Sequence, residues 1–153
     1  MTPEQKISAL GLCLPPSPTP LAAYLPARLI RDTLYLSGQI PRMPDGSLVT
    51  GRLGRDVSVD EGYQAARNVG LQLLSVAKTM IDDLSRIEAV AKLTGMVNTT
   101  PDFMEHASVI NGCSELLIEV LGDAGYHARS AVGMGSLPFG AVVEIEAIFI
   151  VKT

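Results

Sequence analysis

Two stretches of helical periodicity set among several β-rich runs predict an α+β domain: a mixed sheet of about six strands carrying two helices on one face. Ala65, Val69, Leu73, Val76, Met80 and Leu84 recur at three- and four-residue steps, the spacing of one helix face. Phe103, Ala107, Ile110, Ser114, Leu117 and Leu121 repeat the pattern. The last strand then puts Val143, Ile145, Ala147, Phe149 and Val151 on one face, with Glu144, Glu146, Ile148 and Ile150 on the other. Two helices cover only one side of such a sheet. Its second side, also largely apolar, asks for a partner, which is the sequence-level case for an oligomer.

The elements follow in order. Residues 1–20 start with a short turn of helix and pass into an arm interrupted by Pro15, Pro16, Pro18 and Pro20, expected to lie on the surface without regular structure. Residues 21–153 form a single domain. Residues 28–40 read as a hairpin turning near Arg31-Asp32, and the chain breaks at Ser37-Gly38-Gln39-Ile40-Pro41. Pro44-Asp45-Gly46 marks a turn before a short strand over residues 48–51. Ser58-Val59-Asp60-Glu61 has the spacing of a capping box for the first long helix. Residues 87–97 are a strand. Thr100-Pro101-Asp102 opens the second helix, with Thr100 as cap and Pro101 in the first turn, and Gly122 closes it. Residues 128–136 and 141–151 are the last strands, joined by Leu137-Pro138-Phe139-Gly140. Paired across that loop, they place Arg129 opposite Ile148, on the face of Glu144 and Glu146.

Composition narrows the function classes. The chain has 153 residues and is 47% hydrophobic and 18% charged, with a net charge of −4. Dispersed arginines and an acidic balance argue against nucleic-acid binding, which needs clustered cations. Cys13 and Cys113 suit neither a disulfide framework nor a zinc site, and His106 and His127 add no ligand spacing, so no metal is expected. The prolines break the one stretch that could serve as a secretory or membrane segment, leaving the cytoplasm as the default location.

The chemistry concentrates in Ala128-Arg129-Ser130, Leu137-Pro138 and Val143-Glu144-Ile145-Glu146-Ala147. Charges on strands this apolar cost free energy unless they face a cleft, a partner or each other. Arginine offers a planar fork that grips a carboxylate with two hydrogen bonds. Two readings are open: Arg129 holds a small acid, or it pairs permanently with Glu144 or Glu146 to tie strands or subunits together. His127 reads as a surface or interface residue, or else as a general acid. Cys113 reads as a small packed residue, and Tyr24 either anchors the arm or faces a pocket.

These same residues resemble the closing motif of the reactive-intermediate deaminase (Rid, YjgF-like) family, formerly described as endoribonucleases. Ser37-Gly38-Gln39 is similar to the family's Ser-Gly-Gln strand end, Tyr24 stands at the distance of its pocket tyrosine, and Asn111 matches the asparagine of its second helix. The resemblance covers Tyr24 to Val151. Ala131 stands where many members carry cysteine, His127 where proline is usual, and the preceding loop, Gly122 to Tyr126, is longer. The extended N-terminal arm and the stretch Asn111-Gly112-Cys113-Ser114-Glu115 point to a divergent branch. The resemblance implies a chorismate-mutase-like fold and a homotrimer with sites between subunits. It also implies cofactor-free hydrolysis of reactive 2-imino and 2-enamino acids, such as 2-aminoacrylate, to 2-keto acids and ammonia. In that scheme Arg129 holds the carboxylate and Glu144 orients and deprotonates water, while Tyr24, Ser37, Asn111 and Ala131 line the pocket. Glu144 is preferred to Glu146 because it sits beside the Leu137-Pro138 turn, where solvent can enter. The alternative from another class is a non-catalytic trimer that binds or senses small carboxylates. A weaker one is RNA cleavage, which a basic surface would favour.

Overall fold

A computed structural model describes residues 1–19 and 22–153. The elements are α1 (Pro3–Ala9), β1 (Ala27–Ile30), β2 (Thr33–Gln39), α2 (Val59–Ile81), β3 (Ile87–Asn98), α3 (His106–Leu121), β4 (Ala128–Met134) and β5 (Val143–Val151). Single 3-10 turns lie at Leu84–Arg86, Gly122–Gly125 and Pro138–Gly140. The fold is α+β, with three helices and a five-stranded mixed sheet in the order β1-β2-β5-β3-β4. All neighbours run antiparallel except β3 and β4.

The sheet has one strand fewer than expected. Residues 48–51 bond alternately to two segments: Val49 donates to the Pro41 carbonyl and accepts from Val142. Only isolated bridges result, Arg42 with Leu48 and Thr50 with Ala141, so no ladder forms.

The pairing of the last two strands is also corrected. Arg129 lies opposite Leu93 in the parallel β3–β4 pair, and Ile148 opposite Lys92. The crossover through α3 delivers β4 to the free edge of β3, and β5 inserts between β2 and β3. Burial explains the choice. Val143, Ile145, Ala147, Phe149 and Val151 are all buried, whereas no residue of β4 is fully buried. The strand with more apolar surface takes the centre.

Helix α2 begins as its capping box requires. The Ser58 hydroxyl accepts from the Glu61 amide at 3.1 Å, and the Glu61 carboxylate accepts from the Ser58 amide at 2.8 Å. Helix α3 starts later than Thr100. The Thr100 amide donates to the Leu53 carbonyl and the Leu53 amide to the Asn98 carbonyl, which keeps the chain extended past β3. The helix therefore opens at His106 behind Glu105, without a side-chain cap. Its inward stripe comprises Val109, Ile110, Cys113, Ser114, Leu116, Leu117 and Val120, while Ala107 is exposed.

The N-terminal segment is more than a surface arm. Ile7 of α1 is buried in the core, and Leu12 and Leu14 pack against it. Glu4 accepts from the Lys78 ammonium at 2.6 Å and from the Leu84 amide at 3.1 Å, and the Ser75 hydroxyl donates to the Pro15 carbonyl. Under this cover every residue of α2 from Val69 to Ala77 is buried.

Helices α2 and α3 cross closely at Gly112, where a Cβ would collide with the Tyr63 carbonyl. Gly112→Ala gains about 1 kcal/mol in helix propensity, but backbone cannot turn aside as a side chain can, and overpacking of this kind costs about 1–3 kcal/mol. A net loss of stability is expected in urea unfolding. A variant at least as stable as the parent would mean that the crossing is looser than described.

Candidate active site

The residues singled out in the sequence fall into two groups on opposite faces of the sheet. The first sits where the start of β4 meets α3. Arg129 shares its register with Leu93, which faces the helices, and its guanidinium reaches α3. Nη1 donates to the Ser114 hydroxyl at 3.0 Å and Nη2 to the Ala107 carbonyl at 3.2 Å. Asn111 lies on α3 four residues after Ala107 and three before Ser114, on the helix face that meets Arg129. Ala131, two residues along β4, points to the same side of the sheet as Arg129 and packs partly against the core.

The second group lines a cleft of about 540 Å³ where β2 ends and β5 begins. Its walls include Tyr24, Ser37, Gly38, Phe139, Glu144 and the arm residue Pro18. A register shift after Leu36 ends the regular β2–β5 ladder here. The Ser37 hydroxyl donates to the Leu25 carbonyl at 2.6 Å. Gly38 lets the Glu144 carboxylate lie against the backbone, since a Cβ there would stand 2.8 Å from Glu144 Oε2. Phe139 projects at the rim, 68% exposed, with φ of 58°.

Glu144 is half-buried and has no hydrogen-bonding partner among the described residues. Burial, and secondly the like charge of Glu146, raise its carboxyl above the ordinary glutamate value. Such a group is a better proton acceptor than an ordinary surface glutamate. Glu146 is exposed on the same face, in a separate cleft of about 550 Å³ with Tyr35, Lys92, Thr94 and Ile148. No described element covers this second side of the sheet.

The expected sharing of a face by Arg129 and Glu144 is therefore overturned. Two strand spacings across and three residues along put their Cα atoms about 14 Å apart, with the side chains on opposite faces. No described ion pair includes Arg129. A permanent pairing with Glu144 or Glu146 does not occur within one chain.

The other candidates have definite places. Tyr24 is half exposed and borders both clefts. His127 is half-buried and hydrogen-bonded within its own chain. Cys113 is fully buried, and burial pushes its thiol up to about 12 against the opposing charge of Arg129. It packs, and does not react. Sequence reasoning missed Gly38 as the seat of the Glu144 carboxylate, although the Ser-Gly-Gln break was its signal. It also missed Phe139, whose Pro-Phe-Gly setting marked only a turn. Among the described residues no three His, Cys, Asp or Glu side chains converge as a metal site would require, and no helix is long and apolar enough to cross a membrane.

Comparison with known proteins gives consistent results. Residues 4–149 match a family model described as YjgF/chorismate mutase-like, "putative endoribonuclease". The protein TCP17 of Trypanosoma cruzi is 41% identical over 143 residues, covering 93% of this chain and 89% of that protein. A 2-iminobutanoate/2-iminopropanoate deaminase of Dermatophagoides farinae is 29% identical over 153 residues, covering 99% of this chain and 100% of the relative. A crystal structure of a protein of unknown function from Agrobacterium tumefaciens superposes with a TM-score of 0.91 at 43% identity, covering 99% of this chain and 94% of that one.

Proposed function

We propose that this chain, which belongs to the YjgF/chorismate mutase-like family, hydrolyses reactive 2-imino and 2-enamino acids of the 2-aminoacrylate type to 2-keto acids and ammonia. The observation that carries this reading is a pair of opposite charges, Arg129 held against α3 by the Ser114 hydroxyl and the Ala107 carbonyl and Glu144 on the wall of a cleft, neither neutralised by an ion-pair partner among the described residues. Arg129 holds the substrate carboxylate through its remaining N–H donors. A 2-enamino acid first becomes the imine by gaining a proton at carbon and losing one from nitrogen. Glu144 takes a proton from water as the water oxygen bonds to the imine carbon, and passes it to the nitrogen. The carbinol hydroxyl then gives its proton to the amino group. The carbon–nitrogen bond then breaks, leaving the keto acid and ammonia. Imines hydrolyse readily, so placing water, carboxylate and base together suffices without a metal or organic cofactor.

The separation of the two groups within one chain favours a site shared between copies. Arg129, Asn111 and Ala131 of one subunit face Tyr24, Ser37 and Glu144 of the next in a homotrimer, whose contacts cover the open side of the sheet.

A coupled assay tests the activity. An amino-acid oxidase generates 2-imino acids in the presence of semicarbazide, and the protein is expected to speed keto-acid release and suppress semicarbazone formation. No effect on either, with 2-ketobutyrate still bound, would leave the carboxylate-binding trimer as the better reading. Mixed trimers test the sharing. Refolding equal amounts of Arg129→Ala and Glu144→Gln subunits together is expected to recover about a quarter of the wild-type activity, because random closed rings place an intact Arg129 beside an intact Glu144 at that frequency. No recovery would place both residues' work within a single chain.

A further inference from the structure

We propose that Ser114 and His127 are positioning residues that hold the Arg129 guanidinium ready for a substrate carboxylate, an inference that rests on the role given to Arg129 above. Three contacts run in line. His127 Nδ1 lies 2.6 Å from the Gly125 carbonyl, His127 Nε2 lies 2.8 Å from the Ser114 hydroxyl, and that hydroxyl lies 3.0 Å from Arg129 Nη1.

Elementary hydrogen-bond chemistry fixes the protons. A carbonyl only accepts, so Nδ1 carries a proton, and in that tautomer Nε2 presents its lone pair. The Ser114 hydroxyl therefore donates to Nε2. With its proton committed, the oxygen turns its lone pairs to Arg129, which only donates. The chain runs in one direction, each bond polarising the next.

Its anchor is firm. Gly125 is buried so close to α3 that a Cβ there would stand 2.7 Å from the Ile118 Cα. The Ala107 carbonyl fixes Nη2 at 3.2 Å. Both ends of the guanidinium are thus held by α3 and the turn after it, and its other N–H donors are left to a ligand. A long side chain ordered during folding loses less freedom when the ligand arrives. A proline at residue 127 could supply no such acceptor.

The same atoms suggest a Ser–His nucleophile, but the surroundings speak against it. Ser114 is 7% exposed on the inward side of α3, lines neither cleft described above, and accepts from a guanidinium.

Calorimetric titration of the assembled protein with 2-ketobutyrate, beside thermal melts, tests the proposal. His127→Leu removes the acceptor and Ser114→Ala removes the link. Each is expected to weaken binding about tenfold, whereas His127→Gln, whose Oε1 can accept the Ser114 proton, stays within about threefold of wild type. Equal weakening in His127→Leu and His127→Gln, or wild-type affinity in His127→Leu, overturns the positioning role. Should His127→Leu fail to fold, wild-type affinity in Ser114→Ala overturns it equally. A wild-type protein that does not bind 2-ketobutyrate overturns the deaminase reading and this inference together, whereas wild-type binding indifferent to these substitutions overturns this inference alone.

Discussion

Arg129→Ala is expected to remove nearly all turnover of 2-imino acids, at a cost of about 3 kcal/mol or more in transition-state stabilisation, a loss on the order of 100-fold in kcat/KM. In the proposed mechanism the substitution deletes a charge-assisted, two-pronged contact to the substrate carboxylate. The fold should survive it. Among the described residues the guanidinium hydrogen-bonds only to the Ser114 hydroxyl and the Ala107 carbonyl, and it stands on an edge strand. Kinetics and sedimentation on the same sample decide the matter. An inactive variant that keeps its assembly supports ligand binding. One that dissociates or unfolds shows that Arg129 is an interface group instead. A crystal soaked with pyruvate or 2-ketobutyrate that leaves Arg129 without ligand counts equally against the binding role.

Glu144→Gln is expected to lower turnover about 100-fold while 2-keto acid binding persists, because the amide keeps the shape and loses the base. It should also change stability, and the sign follows from the direction of the pKa shift. Burial and the neighbouring Glu146 raise the Glu144 carboxyl in the folded chain, so the folded state binds this proton more tightly than the unfolded state. That contribution favours folding at pH values below the ordinary carboxylate range. It is lost as pH rises through the raised value. At neutral pH the ionised Glu144 is a burden on the fold, and Glu144→Gln should melt at a higher temperature than wild type. The advantage should shrink on acidification, as wild-type Glu144 takes up its proton. Unchanged turnover would discard the general-base role. A lower melting temperature at neutral pH would show that the carboxylate has a stabilising partner in the assembly.

Local chemistry made much of the fold legible. The Ser58–Glu61 box, the turn at Arg31-Asp32 and the uninterrupted apolar face of β5 depend on residues within a few positions of one another, and all three are found. The failures have distant causes. Thr100 is a good cap by its neighbours, but its backbone is claimed by Leu53. The loop between β4 and β5 resembles a hairpin connection, yet β3, some forty residues earlier, takes the place between them. That misplacement carried into the site. The chemical identities of Arg129 and Glu144 could be read from the motif, but the face that Arg129 occupies depends on a parallel pairing that no local spacing records. Ser114 and His127 were hidden for a similar reason, since their contact needs the turn after α3 to fold back onto the helix.

The docking of the N-terminal segment bears on the order in which the chain assembles. Residues 3–15 are synthesised before every element they touch, and their partners at Lys78 and Leu84 lie more than seventy positions downstream. Until those partners exist, the segment has nothing to bury Ile7 against. Contacts so distant in sequence raise the contact order and slow folding, and the apolar stretch of α2 from Val69 to Ala77 waits uncovered meanwhile. A nascent chain paused after α2 would therefore offer a chaperone an apolar helix face that the finished protein conceals. The same segment, continued past Pro15, brings Pro18 to the wall of the Glu144 cleft.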